Sequence, residues 1–116
     1  MPVRNRLAEL HPEITAWRHD LHAHPELLYD LPRTSALVAD KLRGFGCDEV
    51  VTGVGISGVV GVIRGRKTAS GKVTGFRADM DALPIHEASG VGYASTTPGK
   101  MHACGHDGHT SILLGA

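Results

Sequence analysis

Aromatic residues are scarce in this 116-residue chain: one Trp, two Tyr and two Phe. A large aromatic-rich core is therefore excluded, and the apolar share of 41% leaves room for a small one. Only Cys47 and Cys104 carry thiols, too few for a disulfide framework, which agrees with a reducing compartment. Net charge is also missing: 12 Lys and Arg balance 12 Asp and Glu. Nothing resembles the basic face of a nucleic-acid binder, so no nucleic-acid partner is expected. No apolar run reaches membrane-spanning length, and the opening Met-Pro-Val-Arg-Asn-Arg lacks the apolar centre of a signal peptide. These absences point to a cytoplasmic protein with no membrane partner.

What is abundant is glycine, 15 residues spread along the chain, and histidine, 8 residues concentrated in a few stretches. The densest stretch is His102-Ala-Cys-Gly-His-Asp-Gly-His109. If it is extended, His102, Cys104 and His106 point the same way. Asp107 can serve as N-cap of a helix running to the end of the chain. A thiol just before a helix N-terminus is biased towards thiolate. Thiolate with imidazole is the donor set that zinc-like cations prefer. Any one of these residues alone reads as surface or core, but packing gives no reason to crowd so many donors together.

Upstream, Leu7, Leu10, Ile14, Trp17 and Leu21 have helical spacing, and Pro12 within them predicts a helix start or a kink. His19, His22 and His24 read as an exposed polar face of that helix. Thr34 is a fair N-cap for a second helix carrying Leu37, Val38, Leu42 and Phe45. Short strands are predicted at 49–52, 58–64 and 73–79, the last two joined as a hairpin across the polar stretch 65–72. Residues 82–101 read as loop. The fold class is therefore α/β, helices followed by a mixed sheet with a β-hairpin.

Two motifs mislead. Gly53-Val-Gly-Ile-Ser-Gly58 matches G-x-G-x-x-G, but strand formers follow where a dinucleotide site needs a helix. Ser57 is no nucleophile elbow, because Val59 stands where that motif needs glycine. Asp79-Met-Asp81 carries more weight. Its carboxylates sit at a strand end on one side of the chain, placed to face a cation or to orient one of its ligands.

Taken together, Phe76-Arg-Ala-Asp-Met-Asp-Ala-Leu-Pro-Ile85 and Gly99-Lys-Met-His-Ala-Cys-Gly-His-Asp-Gly-His-Thr110 resemble the M20 metallopeptidase-like amidohydrolases. The branch is that of hippurate hydrolases and N-acyl-amino-acid deacylases. Arg18-His-Asp-Leu-His-Ala-His-Pro-Glu-Leu27, Arg33-Thr34 and Cys47-Asp-Glu-Val-Val-Thr-Gly53 are similar to the same branch. The resemblance implies that Cys104 and His106 are metal ligands, the sulfur shared by two divalent cations (Mn2+, Zn2+ or Co2+). It makes Asp81 the catalytic aspartate supporting the metal centre and leaves the role of Asp79 open. The implied fold is a zinc-peptidase-like catalytic domain interrupted by a lid or dimerisation domain. On that basis residues 1–116 are the N-terminal portion of the catalytic domain, with the lid, the general-base glutamate and the remaining ligands outside them. Ile56-Ser57 departs from the pair closer to Arg-Thr or Gly-Thr expected before Gly58.

The implied activity is metal-dependent hydrolysis of N-acyl amino acids, with hippurate the first choice of substrate and N-acetyl or other conjugates the alternative. The full-length protein would be a homo-oligomer, and these residues alone would be inactive. A rival reading is a non-catalytic metal-binding module, which would have to close a site from His102, Cys104, His106 and His109. A redox switch through Cys47 and Cys104 finds no C-x-x-C support.

Overall fold

A computed structural model describes residues 2–116, with side chains from Arg4 onward. Three helices and one β-hairpin make up its regular structure: α1 (Pro2–Ala23), α2 (Pro32–Gly44), β1 (Glu49–Val54), β2 (Gly58–Val62) and α3 (His106–Gly115). No helix among the described residues is long and apolar enough to cross a membrane.

α1 includes Pro12 rather than starting there. Proline removes one N–H from the ladder, and the carbonyl it leaves without a donor, that of Ala8, lies on an exposed stretch where water can satisfy it. The apolar stripe is buried only at its C-terminal end, at Trp17 and Leu21, while Leu7 stays exposed. His22 belongs to this buried end, with 4% exposure, and not to the polar face expected of it.

α2 begins two residues before Thr34. Pro32 occupies its first turn, where a missing N–H costs nothing. No side chain of the N-cap residue, Leu31, covers the helix end. The Glu26 carboxylate does so from outside, accepting from the amides of Arg33 at 3.1 Å and Thr34 at 2.6 Å. Thr34 is instead buried against the core.

β1 and β2 pair antiparallel, with Glu49 opposite Val62 and Val51 opposite Val60, and an irregularity before Val54 pairs with Gly58. The hairpin thus closes through the glycine motif at 53–58, which turns the chain and opens no helix. Ile56 sits in that turn at φ +89°, a region that costs a β-branched residue dearly. The expected third strand at 73–79 forms no ladder. Val73 and Phe76, which a sheet would have buried on its two faces, are 93% and 80% exposed. The sheet is therefore a two-stranded hairpin packed on α2, not a mixed sheet.

α3 packs on α1, and Gly115 lets its last turn rest directly on the Ile14 side chain. The apolar residues Ile112 and Leu113 point outward from it. The loop between hairpin and α3 is tied to the helical part and to itself by backbone bonds, and Thr96 donates to the Ala23 carbonyl of α1. The Ala82 amide donates to the Glu26 carbonyl at 2.7 Å, and Leu83 and Met101 exchange backbone bonds of 2.9 and 3.0 Å.

Candidate metal centre

The residues 79–81 are held by side chains at the start of α3 and not by a sheet. Gly105, in the left-handed region at φ +87°, makes the sharp turn that leads into α3. It, and not Asp107, is the N-cap. Immediately after it, the His106 Nδ1 lies 2.8 Å from the carbonyl oxygen of Asp81 and 3.0 Å from its carboxylate. Both are acceptors, so Nδ1 carries the proton and Nε2 keeps its lone pair. That Nε2 lies 3.5 Å from Asp79 Oδ2. One turn further on, His109 Nδ1 donates to Asp79 Oδ1 at 2.7 Å, and Thr110 Oγ1 donates to the Asp79 carbonyl at 2.9 Å. The bond from His109 holds the Asp79 carboxyl below its usual range, against partial burial.

Asp79, His106 and His109 each offer a ligand atom, all within 4.8 Å of one another, and form a candidate cation-binding group among the described residues. The donor chemistry fits a borderline divalent cation. A half-buried imidazole nitrogen with a free lone pair faces a carboxylate, and the other ring nitrogen is fixed by a backbone carbonyl and a carboxylate. Asp81 is thus placed to orient the His106 ring. The pair Asp79 and Asp81 converges on one ring, Asp79 at Nε2 and Asp81 at Nδ1.

Cys104 lies two residues before His106 on the same turn, exposed and with a free thiol. It stands outside the group of three, as does His102. The tetrahedral set of His102, Cys104, His106 and His109 needed by a closed structural site is therefore not assembled. His102 is buried instead, neither ring nitrogen has a partner among the described residues, and burial lowers its basicity. Cys47 is likewise a free thiol, which leaves the two-cysteine switch without a bond.

Sequence reasoning missed a second cluster directly behind the turn. Asp107, the second residue of α3, is 1% exposed. Its Oδ2 accepts from His22 Nδ1 at 2.8 Å and from Arg18 Nε at 3.2 Å. The other nitrogen of His22 lies 2.9 Å from Glu87 Oε1. The hydroxyl of Ser89, the amide of Ser95 and, against burial, His22 hold the Glu87 carboxyl down to about 2. The i, i+4 spacing of Arg18 and His22 on one face of α1 was the only local signal.

Comparison with known proteins agrees with this geometry. Residues 75–116 match the family described as peptidase family M20/M25/M40. The N-acyl-L-amino acid amidohydrolase of Geobacillus stearothermophilus is 43% identical over 113 residues, covering 97% of this chain and 30% of that protein. The hippurate hydrolase of Campylobacter jejuni is 48% identical over 108 residues, covering 93% of this chain and 27% of that protein. The chain therefore spans less than a third of the length of these curated relatives. The structure superposes with TM-score 0.79 on Bacillus subtilis YXEP, a dinuclear metal-binding peptidase from the M20 family. The identity is 35%, over 92% of this chain and 29% of that one. The segment that matches peptidase family M20 holds Asp79, Asp81, Cys104, His106 and His109, so the part of the chain that carries the candidate site is that of this family.

Proposed function

We propose that this chain is the metal-binding N-terminal portion of an amidohydrolase that cleaves the amide of N-acyl amino acids, hippurate to benzoate and glycine first among them. The observation that carries the reading is the His106 ring, fixed by Asp81 through Nδ1 and presenting Nε2 beside Asp79. His106 and Cys104 are the residues that would hold divalent cations. Asp81 fixes the tautomer and orientation of His106 and raises its basicity as a ligand. Asp79 sits where it can hold the same cation or restrain His109.

Divalent cations such as Mn2+, Zn2+ or Co2+, once bound there, supply Lewis acidity that polarises a carbonyl and acidifies a water. A general base must still take that water's proton. Glu87 is the last glutamate of the sequence, and its two carboxylate oxygens are engaged by His22, Ser89 and Ser95. On this reading the base is a glutamate outside this chain, in keeping with relatives more than three times as long. The same reading makes the working protein a cytoplasmic homo-oligomer acting on small molecules.

Two measurements test it. Calorimetric titration of the chain with Zn2+ and Mn2+ should show weak, saturable binding that is lost in His106→Ala. The full-length polypeptide that carries the chain, supplied with either metal, should release benzoate and glycine from hippurate. Turnover of N-acetyl amino acids with none of hippurate would move the substrate and keep the reaction. No metal-dependent amide cleavage of any N-acyl amino acid would sink the proposal.

A further inference from the structure

The buried cluster behind the metal-binding turn has no role in the chemistry above, yet it joins the elements that carry it. His22 projects from α1 between two acidic side chains, Asp107 at 2.8 Å from Nδ1 and Glu87 at 2.9 Å from Nε2. Ionised carboxylates only accept, so each ring nitrogen must donate, and the ring between them carries two protons. All three side chains are at least nine-tenths buried, with 5%, 1% and 4% of their side-chain surface exposed. Arg18 supplies a second cation to Asp107. The Tyr93 ring, stacked on His19, presents an edge contact to His22, with the rings 5.4 Å apart. His102 is the remaining titratable neighbour, its ring 6.4 Å from that of His22.

The consequence is a mechanical one. Asp107 follows His106 directly, so whatever fixes Asp107 fixes the backbone from which His106 projects. Glu87 lies six residues after Asp81, on the loop that brings the acceptor for His106 Nδ1. Both sides of the His106–Asp81 contact are thus tied to one imidazole on α1. We propose that His22 is a positioning residue for the metal centre, a doubly protonated clamp holding the first turn of α3 and the 82–95 loop in the register that aims His106 Nε2. The inference rests on the metal-centre reading of His106.

The balance of forces on the ring agrees with this protonation state. Burial alone would push His22 down, but the hydrogen bonds and charges of Glu87 and Asp107 outweigh it and hold it above the ordinary imidazole range. A neutral ring would leave one buried carboxylate facing a lone pair, which is costly at this depth.

The test uses the 116-residue chain, Zn2+ alone as probe, and nitrogen-15 spectra of the histidine rings. In the wild type both ring nitrogens of His22 should be protonated at neutral pH. His22→Gln should lower Zn2+ affinity by about tenfold or more, the range seen when groups behind a ligand are removed. The His106 Nδ1 proton signal, which reports the bond to Asp81, should shift in the same variant while its circular dichroism stays that of the wild type. If His22→Gln does not fold, Glu87→Gln decides. It keeps the shape, removes one of the two charges, and should weaken Zn2+ binding in the same direction. Folded variants with wild-type affinity, or a wild-type His22 ring with only one proton, would overturn the proposal. A wild-type chain that binds no Zn2+ would instead overturn the metal-centre reading beneath it.

Discussion

His106 Nδ1 lies 2.8 Å from the carbonyl oxygen of Asp81 and 3.0 Å from its carboxylate, so one residue holds the ring through two different acceptors. The arrangement separates backbone from side chain. Asp81→Ala keeps the carbonyl bond and the tautomer but removes the charge that raises the ring's basicity. Zn2+ affinity should fall by about 10- to 100-fold while folding is retained. Chelator-competition titration checks this, and unchanged affinity would show that the carboxylate does nothing for the ligand.

Acid stability should report the Glu87 carboxylate. Its folded-state value, about 2, lies below the ordinary 4.5, so its contribution is complete above 4.5 and drains away as pH falls towards 2. His22 has the opposite sign: its raised value stabilises fully below 6.5 and is lost as pH rises through the folded-state value. Thermal melts of the wild type should therefore drop steeply between pH 4.5 and about 2, and those of Glu87→Gln less so. Parallel curves for the two proteins would contradict the assignment.

The hairpin turn holds a correctable flaw. Ile56 adopts φ +89° while 75% exposed, so its side chain gains little from burial and its backbone is strained. Ile56→Gly relieves a left-handed strain of roughly 1–2 kcal/mol, offset by the greater freedom of glycine in the unfolded chain. A net gain on the order of 1 kcal/mol should raise Tm by a few degrees. A lower Tm would mean that Ile56 packs on something that matters more than its dihedral angle.

The helices were legible in the sequence because their signals are local. The spacing from Leu7 to Leu21 and the apolar positions from Leu37 to Leu42 each lie on the helix they predict, and Phe45 caps the second. The caps were misread where a distant residue intervened. Glu26 covers the start of α2 across seven and eight residues, and that displaced Thr34 from the role its type suggests. Residues 73–79 have strand composition, but a strand exists only with a partner, and Val73 and Phe76 find none among the described residues. At the site, the motif named the turn and the two aspartates that the structure brings together at His106. His22 was passed over as polar surface because its partners, Glu87 and Asp107, are 65 and 85 residues away. No periodicity encodes such a distance.

On the reading that the general base lies outside it, the 116-residue chain should bind metal weakly and cleave nothing. Hippurate incubated with the purified chain and Mn2+ or Zn2+ at neutral pH should remain intact. Turnover abolished by Cys104→Ser would place catalytic machinery inside these residues after all.

The central claim is that Cys104 and His106 bind metal together, and Co2+ reads it out directly because a thiolate bound to this ion gives an intense near-ultraviolet charge-transfer band. Titration of the reduced chain with Co2+ should raise that band. It should vanish in Cys104→Ser, and both band and binding should be lost in His106→Ala. Co2+ bound with no such band, or with full occupancy in Cys104→Ser, would contradict the claim and leave Asp79, His106 and His109 as the site.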